Sequence, residues 1–138
     1  MHTTQSAILP DHVLAAVLTL AKQQSKESRF AFRSHDFQLQ GIFGELGKRF
    51  AILGPFVFSD SGPEPYSPAL SESVSRLQLS GLIGRENPDY EIVFLRDAAD
   101  KFFDRVLKTE FDEKQLQQLS EIASEFLKRI EIVPGLSS

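Results

Sequence analysis

The sequence predicts a mainly helical α+β fold, formed as a single domain over residues 1–138. Apolar residues recur at helical spacing in five separate segments, and a pair of β-rich segments around a turn interrupts them. A chain of this length can bury a core large enough to need no disulfide or metal. The polar start, residues 1–8, and the tail, residues 134–138, are expected to be flexible.

The composition excludes several classes of protein. The chain has no Cys, which excludes a disulfide-stapled secreted fold, a thiol nucleophile and a Cys-ligated zinc site. The start lacks the basic region of a signal peptide and the apolar runs are too short to span a membrane, so we expect a cytoplasmic protein. The net charge of −4 is concentrated in residues 59–95, where six acidic residues face two basic ones.

The first two helices are predicted over residues 10–24 and 35–50. Pro10 suits the first turn of one helix, and Ser34 can cap the other. Their apolar stripes are Val13, Leu14, Val17, Leu18 and Ala21, and then Leu39, Ile42, Phe43, Leu46 and Phe50. Gly41, Gly44 and Gly47 recur three apart, and each costs about 1 kcal/mol relative to Ala. We interpret them as close packing against another backbone, because a phosphate-binding loop would need a Gly-Lys-Ser/Thr.

A third helix, over residues 68–80, is predicted between β-rich segments. Residues 56–58 predict a short strand before it. Ser67 can cap this helix with Pro68 in the first turn, and Gly81 can end it. Its buried face is Leu70, Val74 and Leu77. Residues 82–85 and 90–95 then predict a β-hairpin around a turn at residues 86–89.

Two further helices form a C-terminal helical extension over residues 96–133. Asp97 can cap a helix over residues 98–108, and Asp112 with Gln115 has the pattern of a capping box for the last helix. The last helix carries an apolar stripe with gaps of three and four: Leu116, Leu119, Ala123, Phe126 and Ile130. The stripe fits docking onto the domain, and it equally fits a homodimer through residues 98–132.

The order helix, helix, short strand, helix, hairpin resembles the winged helix-turn-helix superfamily, in which the hairpin is the wing. The matching text is Tyr66-Ser67-Pro68, Leu70, Val74 and Leu77, then Gly81-Leu82-Ile83 and residues 90–95. The chain is also similar to small bacterial phage-associated and antitoxin-type winged-helix proteins. The resemblance spans residues 54–95. It implies DNA binding, with the third helix in the major groove and the wing on the phosphate backbone.

The charges on that helix and hairpin favour a protein partner over DNA. The outward face of the third helix is predicted to carry Glu72, Ser75, Arg76 and Leu79, and the hairpin holds Arg85 among acidic residues. DNA affinity depends on cations that neutralise phosphates. We therefore assign Glu72, Ser75 and Leu79 to a partner-binding surface. For Leu79 taken alone, we favour burial beneath the C-terminal helices.

The DNA-binding alternative would use the basic residues Arg29, Arg33, Lys48, Arg49, Arg76 and Arg85. We interpret the first four as a solvated face, although they could steer a nucleic acid. Phe30 and Phe32 alternate with Arg29 and Arg33. This alternation could stack single-stranded bases, but it favours a short strand with one buried face.

No catalytic residue, cofactor site or metal site is predicted. The three histidines have no partner at ligand spacing. Asp97, Asp100 and Asp104 share a helix face, which capping and i,i+4 pairing explain more simply than magnesium. The sequence thus predicts a non-enzymatic winged-helix adaptor or regulator, a subunit of a bacterial complex that acts through protein–protein contacts. The alternative is a dimeric DNA-binding transcriptional regulator.

Overall fold

Helices dominate the described part of the chain, which comprises residues 9–26, 30–33, 36–59, 66–86 and 92–132 of a computed structural model. The helices are α1 (Pro10–Ser25), α2 (Asp36–Gly47), α3 (Pro68–Leu79), α4 (Asp97–Phe102, continued by a π-helical segment Phe103–Leu107 and a last turn Lys108–Glu110) and α5 (Glu113–Arg129). The strands are β1 (Ala31–Arg33), β2 (Ile83–Glu86), β3 (Ile92–Leu95) and β4 (Glu131–Ile132). The predicted mainly helical α+β class is confirmed. Within these ranges no helix has both the length and the apolar composition that a membrane crossing requires.

The four strands form one antiparallel sheet in the order β2-β3-β1-β4. The predicted hairpin is confirmed as β2 and β3, with Ile83 opposite Leu95, while its turn lies outside the described residues. β1 confirms the strand indicated by the Phe30 and Phe32 alternation. Phe32 lies opposite Val93 on one side and Ile132 on the other.

The strand predicted at residues 56–58 is wrong. A 3-10 turn, Ala51–Leu53, precedes these residues, and they pair with no other strand in the described part of the chain. Phe56 is buried against the ring of Phe43, at 5.7 Å between centroids, whereas Val57 faces solvent. The side chains at 56 and 57 thus alternate between the core and solvent, as they would in a strand, but the backbone forms no strand-to-strand hydrogen bonds there with other described residues. The third strand of the sheet comes instead from β1, between the first and second helices.

The core is built around α1, whose residues Val13 to Leu18 are all buried. α5 packs along α1, and α3 crosses it from another side. The predicted stripe of the last helix points into this core, where Leu119, Ala123 and Phe126 are fully buried. A helix whose apolar face is covered by its own domain does not offer that face to a second chain. A homodimer through residues 98–132 would therefore have to use α4 or the outward face of α5.

The helix ends confirm most of the predicted capping signals. The Ser67 hydroxyl accepts a hydrogen bond from the Leu70 N–H at 3.2 Å, and Asp112 and Gln115 form the complete capping box. Gly81 has a φ of +85°, and the N–H groups of Gly81 and Leu82 donate to the carbonyls of Gln78 and Leu77. This is the Schellman arrangement, in which glycine takes the left-handed position after a helix.

Two of the predicted capping and packing roles are wrong, and a third lies outside the described residues. Asp97 is the first residue of α4 rather than its cap, since Arg96 precedes the helix without a side-chain capping bond. A Cβ added at Gly41 would meet nothing within 4 Å, so close backbone packing does not explain that glycine. A Cβ added at Gly47 would meet only the side chains of Leu53 and Phe58, both at 4.0 Å, which is an ordinary contact distance. Ser34 lies in a part of the chain that is not described.

We expect Thr19→Val to raise the free energy of unfolding by about 1 kcal/mol. Thr19 is fully buried in α1, and its hydroxyl has no hydrogen-bond partner among the described residues. Valine has nearly the same shape and carries no desolvated hydroxyl. Urea unfolding measures the change, with the exposed Thr109→Val, whose hydroxyl donates to the Val106 carbonyl, as the matched control. A loss of stability at position 19 would show that the hydroxyl is satisfied.

Candidate functional site

A groove opens between the N-terminal turn of α1, the C-terminal end of α3 and the start of α4. Its volume is about 610 Å³, and its lining residues are Asp11, His12, Arg76, Leu77, Leu79, Ser80, Leu82 and Phe102. Half of these side chains are apolar; of the polar ones, Asp11, His12 and Arg76 take part in ion pairs described below, and the Ser80 hydroxyl donates to the Leu77 carbonyl. A concave apolar surface with a polar edge is typical of a binding site.

Leu79 projects from the wall of this groove and is 86% exposed. The interpretation that Leu79 is buried beneath the C-terminal helices is therefore wrong. The reason is its position on the helix: Leu79 follows the buried Leu77 by two residues, about 200° around the helix axis, so it faces away from the core. The Schellman turn then folds the chain back so that Leu82 lies near Leu77, where the two apolar residues can make the contact typical of that motif. Leu82 thereby takes the place beside the core, and Leu79 remains on the outer face of α3.

A partly exposed polar network joins α1 and α3 at the wall that they share. Asp11 accepts hydrogen bonds from Arg76 Nε at 2.7 Å, from Arg76 Nη2 at 3.0 Å and from the Ser73 hydroxyl at 2.6 Å. Burial alone would raise the pKa of Asp11, but these hydrogen bonds and the charge of Arg76 outweigh burial and hold the pKa below its usual 3.8. The carboxylate is thus kept ionised and joins the two helices under the groove.

Asp11→Asn should lower the free energy of unfolding by about 1–2 kcal/mol at pH 7, a range that allows for the half-exposed guanidinium. Because the folded-state pKa is depressed, the contribution is present above 3.8 and is lost as the pH falls through the folded value. The difference between wild type and variant should therefore shrink as the pH falls from about 5 toward 2. Urea unfolding over this range checks it, with the exposed Asp104→Asn as control. A difference that is constant with pH would contradict the linkage.

The opposite wall is formed by α4 and is fastened to α1 through His12. The His12 Nδ1 atom lies 2.7 Å from a carboxylate oxygen of Glu110, and the His12 ring meets the Phe102 ring edge-on at 5.4 Å. Phe102 and Glu110 are eight residues apart on α4, so Val106 between them lies on the same side of the helix. Val106 is 37% exposed, although it is not one of the residues that line the groove.

The π-helical segment Phe103–Leu107 lies within this wall. A π-helical turn holds an extra residue per turn, so it rotates the side chains that follow it relative to those before it. Phe103 and Leu107 are buried in the core, while Val106 remains at the surface. π-helical turns often occur at functional sites. α4 thus contributes Phe103 and Leu107 to the core and Phe102 to the groove.

A second, smaller cavity of about 190 Å³ lies on the other side of α3, against α2 and the hairpin. Ser75 and Arg85 line it, together with the buried Gln40. Gln40 accepts a hydrogen bond from the Ser67 N–H at 2.7 Å and donates to the Ser67 carbonyl at 3.0 Å and to the Ser71 hydroxyl at 3.1 Å. These bonds join α2 to the cap of α3, so this cavity belongs to the joint between two helices.

The structure brings together some of the predicted partner-binding residues. Leu79 lies in the groove, and an oxygen of the exposed Glu72 lies 3.8 Å from Arg76 at its edge. Ser75 is exposed too but borders the smaller cavity. The predicted surface is therefore a ridge along α3, with a concave surface on each side.

The basic residues of the DNA-binding alternative are dispersed. Arg33 lies 3.8 Å from Glu131, Lys48 4.0 Å from Glu45 and Arg49 3.7 Å from Glu125. Arg76 Nε lies 2.7 Å from a carboxylate oxygen of Asp11. Arg85 is half-buried at the smaller cavity, and Arg29 lies outside the described residues. Arg33, Lys48, Arg49 and Arg76 thus each have a carboxylate within 4.0 Å, which weakens their attraction for phosphate.

The acidic residues of α4 serve as pairing groups. Asp100 accepts a hydrogen bond from Lys22 at 2.5 Å, and Asp104 lies 3.9 Å from Lys108 one turn later. Within the described ranges no group of three or more His, Asp or Glu side chains could hold a metal ion. His2 and His35 lie outside those ranges.

No protein-family model, no curated protein and no solved structure matches this chain. Function is therefore inferred from the groove and its residues. Sequence reasoning missed Asp11, His12 and Phe102, because the pairs that they form join residues about 65 to 98 positions apart. An acidic residue in the first turn of a helix signals a favourable helix end, and nothing in the sequence relates it to a distant Arg.

Proposed function

We propose that this chain is a winged-helix protein that works as a non-enzymatic adaptor or regulatory subunit, and that it contacts another protein through the groove beside Leu79. The observation that carries the proposal is the 86% exposure of Leu79 next to an apolar concavity. A large exposed apolar side chain beside an apolar groove commonly marks a protein–protein contact.

The arrangement of α2, α3 and the hairpin supports the winged-helix part of the proposal. No strand lies between α2 and α3 in the described residues 48–59 and 66–67, and the Gln40 bonds to Ser67 hold the two helices in a fixed relation. The hairpin of β2 and β3 follows α3 directly after the Gly81 turn. Helix, helix and hairpin in this sequence are the parts that the superfamily uses.

The side chains of α3 favour protein over DNA as the partner. A recognition helix needs cations or amide donors that reach the base edges and phosphates. On α3 the Arg76 guanidinium is bound to Asp11 and lies close to Glu72. An anionic duplex approaching this helix would meet Glu72 and the exposed Leu79.

A comparison of three purified proteins tests the proposal: wild type, Leu79→Asp and Val57→Asp. Val57 is 71% exposed and lies outside the groove, so it controls for the loss of an exposed apolar group. We expect wild type and Val57→Asp to capture the same protein from a lysate of the source organism and Leu79→Asp to lose it.

Fluorescence anisotropy with duplex DNA at low and moderate salt provides the opposing measurement. We expect no binding at either salt concentration. Tight binding that weakens steeply with salt and is lost on Arg76→Glu would overturn the proposal in favour of a DNA-binding regulator.

A further inference from the structure

The edge of the groove is acidic. Three carboxylates either line it or contact a lining residue: Asp11 itself, Glu72 at 3.8 Å from Arg76, and Glu110 at 2.7 Å from His12. Among the described residues that meet these conditions, the basic side chains are Arg76 and His12. Asp11 forms two hydrogen bonds with Arg76, and His12 lies against Glu110, so three carboxylates meet two basic groups and leave a negative charge on the edge.

Two of these carboxylates, Glu72 and Glu110, lie on opposite walls. Glu72 extends from α3 and is mostly exposed, whereas Glu110 lies at the end of α4 beyond Val106. The apolar surface of Leu79, Leu82 and Phe102 lies between these walls. An occupant would therefore meet apolar side chains along its centre and a carboxylate on each flank.

This charge pattern argues against a second copy of the chain as the occupant. A two-fold contact would place the same acidic edge against itself, in a protein that already carries a net charge of −4. Like charges that face each other across an interface cost affinity.

We propose that the groove binds a basic amphipathic segment of another protein, with its apolar side chains between α3 and α4 and its Lys or Arg groups against Glu72 and Glu110. The inference rests on the proposed protein-binding function and specifies the chemistry of the partner. An amphipathic helix that places its apolar face in a hydrophobic groove is a recurring mode of recognition. The acidic chain, with a pI near 5.4, also attracts a basic partner before contact.

Two designed helical peptides with the same Leu positions test this, one with Lys at every polar position and one with Glu. Binding to the full-length chain is measured by fluorescence anisotropy at about 0.15 M salt, and the site is located by amide chemical-shift changes. We expect the Lys peptide to bind at least about tenfold more tightly than the Glu peptide. Shifts should concentrate at residues 79–82 and at His12.

Leu79→Asp separates anchoring from non-specific attraction, because it removes an apolar group and adds a carboxylate. If the apolar groove anchors the peptide, this variant should bind the Lys peptide about tenfold more weakly. If the attraction were only electrostatic, the added charge should strengthen binding, and that result would overturn the inference. Val57→Asp adds the same charge elsewhere and should leave the affinity within about twofold, while Glu72→Gln should weaken it about twofold.

Other results distinguish a wrong partner chemistry from a wrong function. If the Glu peptide bound equally well at residues 79–82, the groove would remain a docking site but its preference for a basic partner would be refuted. Self-association lost in Leu79→Asp, measured by sedimentation, would identify a second copy as the occupant and overturn the inference in the same way. If neither peptide shifted these residues and no captured protein depended on Leu79, the inference and the proposed function would both fail.

Discussion

Phe126→Ala should lower the free energy of unfolding by about 3–5 kcal/mol, a large fraction of the stability of a typical domain. Phe126 is fully buried on α5, and its ring meets Phe32 of β1 edge-on at 5.3 Å and Phe43 of α2 at 5.8 Å. Truncation removes these contacts and opens a cavity at the point where three elements meet. The surrounding helices and sheet can close such a cavity only in part.

Urea unfolding at pH 7 measures this loss, and Phe126→Leu provides a graded control. Leucine retains most of the apolar volume, so we expect its cost to be well below that of alanine. The half-buried Phe102→Ala in the groove should cost less than Phe126→Ala, because its ring is already partly in water. Equal costs for Phe126→Ala and Phe126→Leu would show that ring packing at this joint does not hold α5 on the domain.

Much of the fold could be predicted because its signals are local. Ser67, Gly81 and the pair of Asp112 and Gln115 each act on backbone groups within a few residues, so their roles follow from spacing alone. The hairpin is equally local, since its strands are adjacent in sequence. The strand wrongly placed at residues 56–58 shows where such reasoning fails. Its residues have high β-propensity, but whether a segment pairs depends on a partner strand far along the chain.

The groove could be predicted only in part, for the same physical reason. The sequence marks the outward face of α3, including Glu72 and Leu79, by its position opposite the Leu70, Val74 and Leu77 stripe. The rest of the site comes from α1 and α4, which reach α3 only after folding. The burial predicted for Leu79 is wrong because it relied on the tendency of apolar residues to be buried, whereas the position of Leu79 on α3, opposite the buried stripe, leaves it exposed.

Gln40→Leu should lower the free energy of unfolding by about 2–3 kcal/mol, because it leaves a buried donor without an acceptor. The Ser67 N–H donates to Gln40 Oε1 at 2.7 Å, in a residue that is fully buried. The Ser67 carbonyl also loses the Gln40 amide, but it keeps bonds from the N–H groups of Leu70 and Ser71. The cost therefore falls mainly on the N–H, and the same loss loosens the joint between α2 and α3.

The exposed Gln117→Leu on α5 is the matched control, since it makes the same change where water replaces the lost bond. We expect it to leave the urea midpoint nearly unchanged.

Amide exchange locates the effect of Gln40→Leu, which should appear first at Leu70 and Ser71 in the opening turn of α3. A variant as stable as wild type would mean that water enters the small cavity and satisfies the Ser67 N–H. A loosened joint should also weaken partner binding at the groove, because α3 carries Leu79 and the Gln40 bonds hold the other end of that helix.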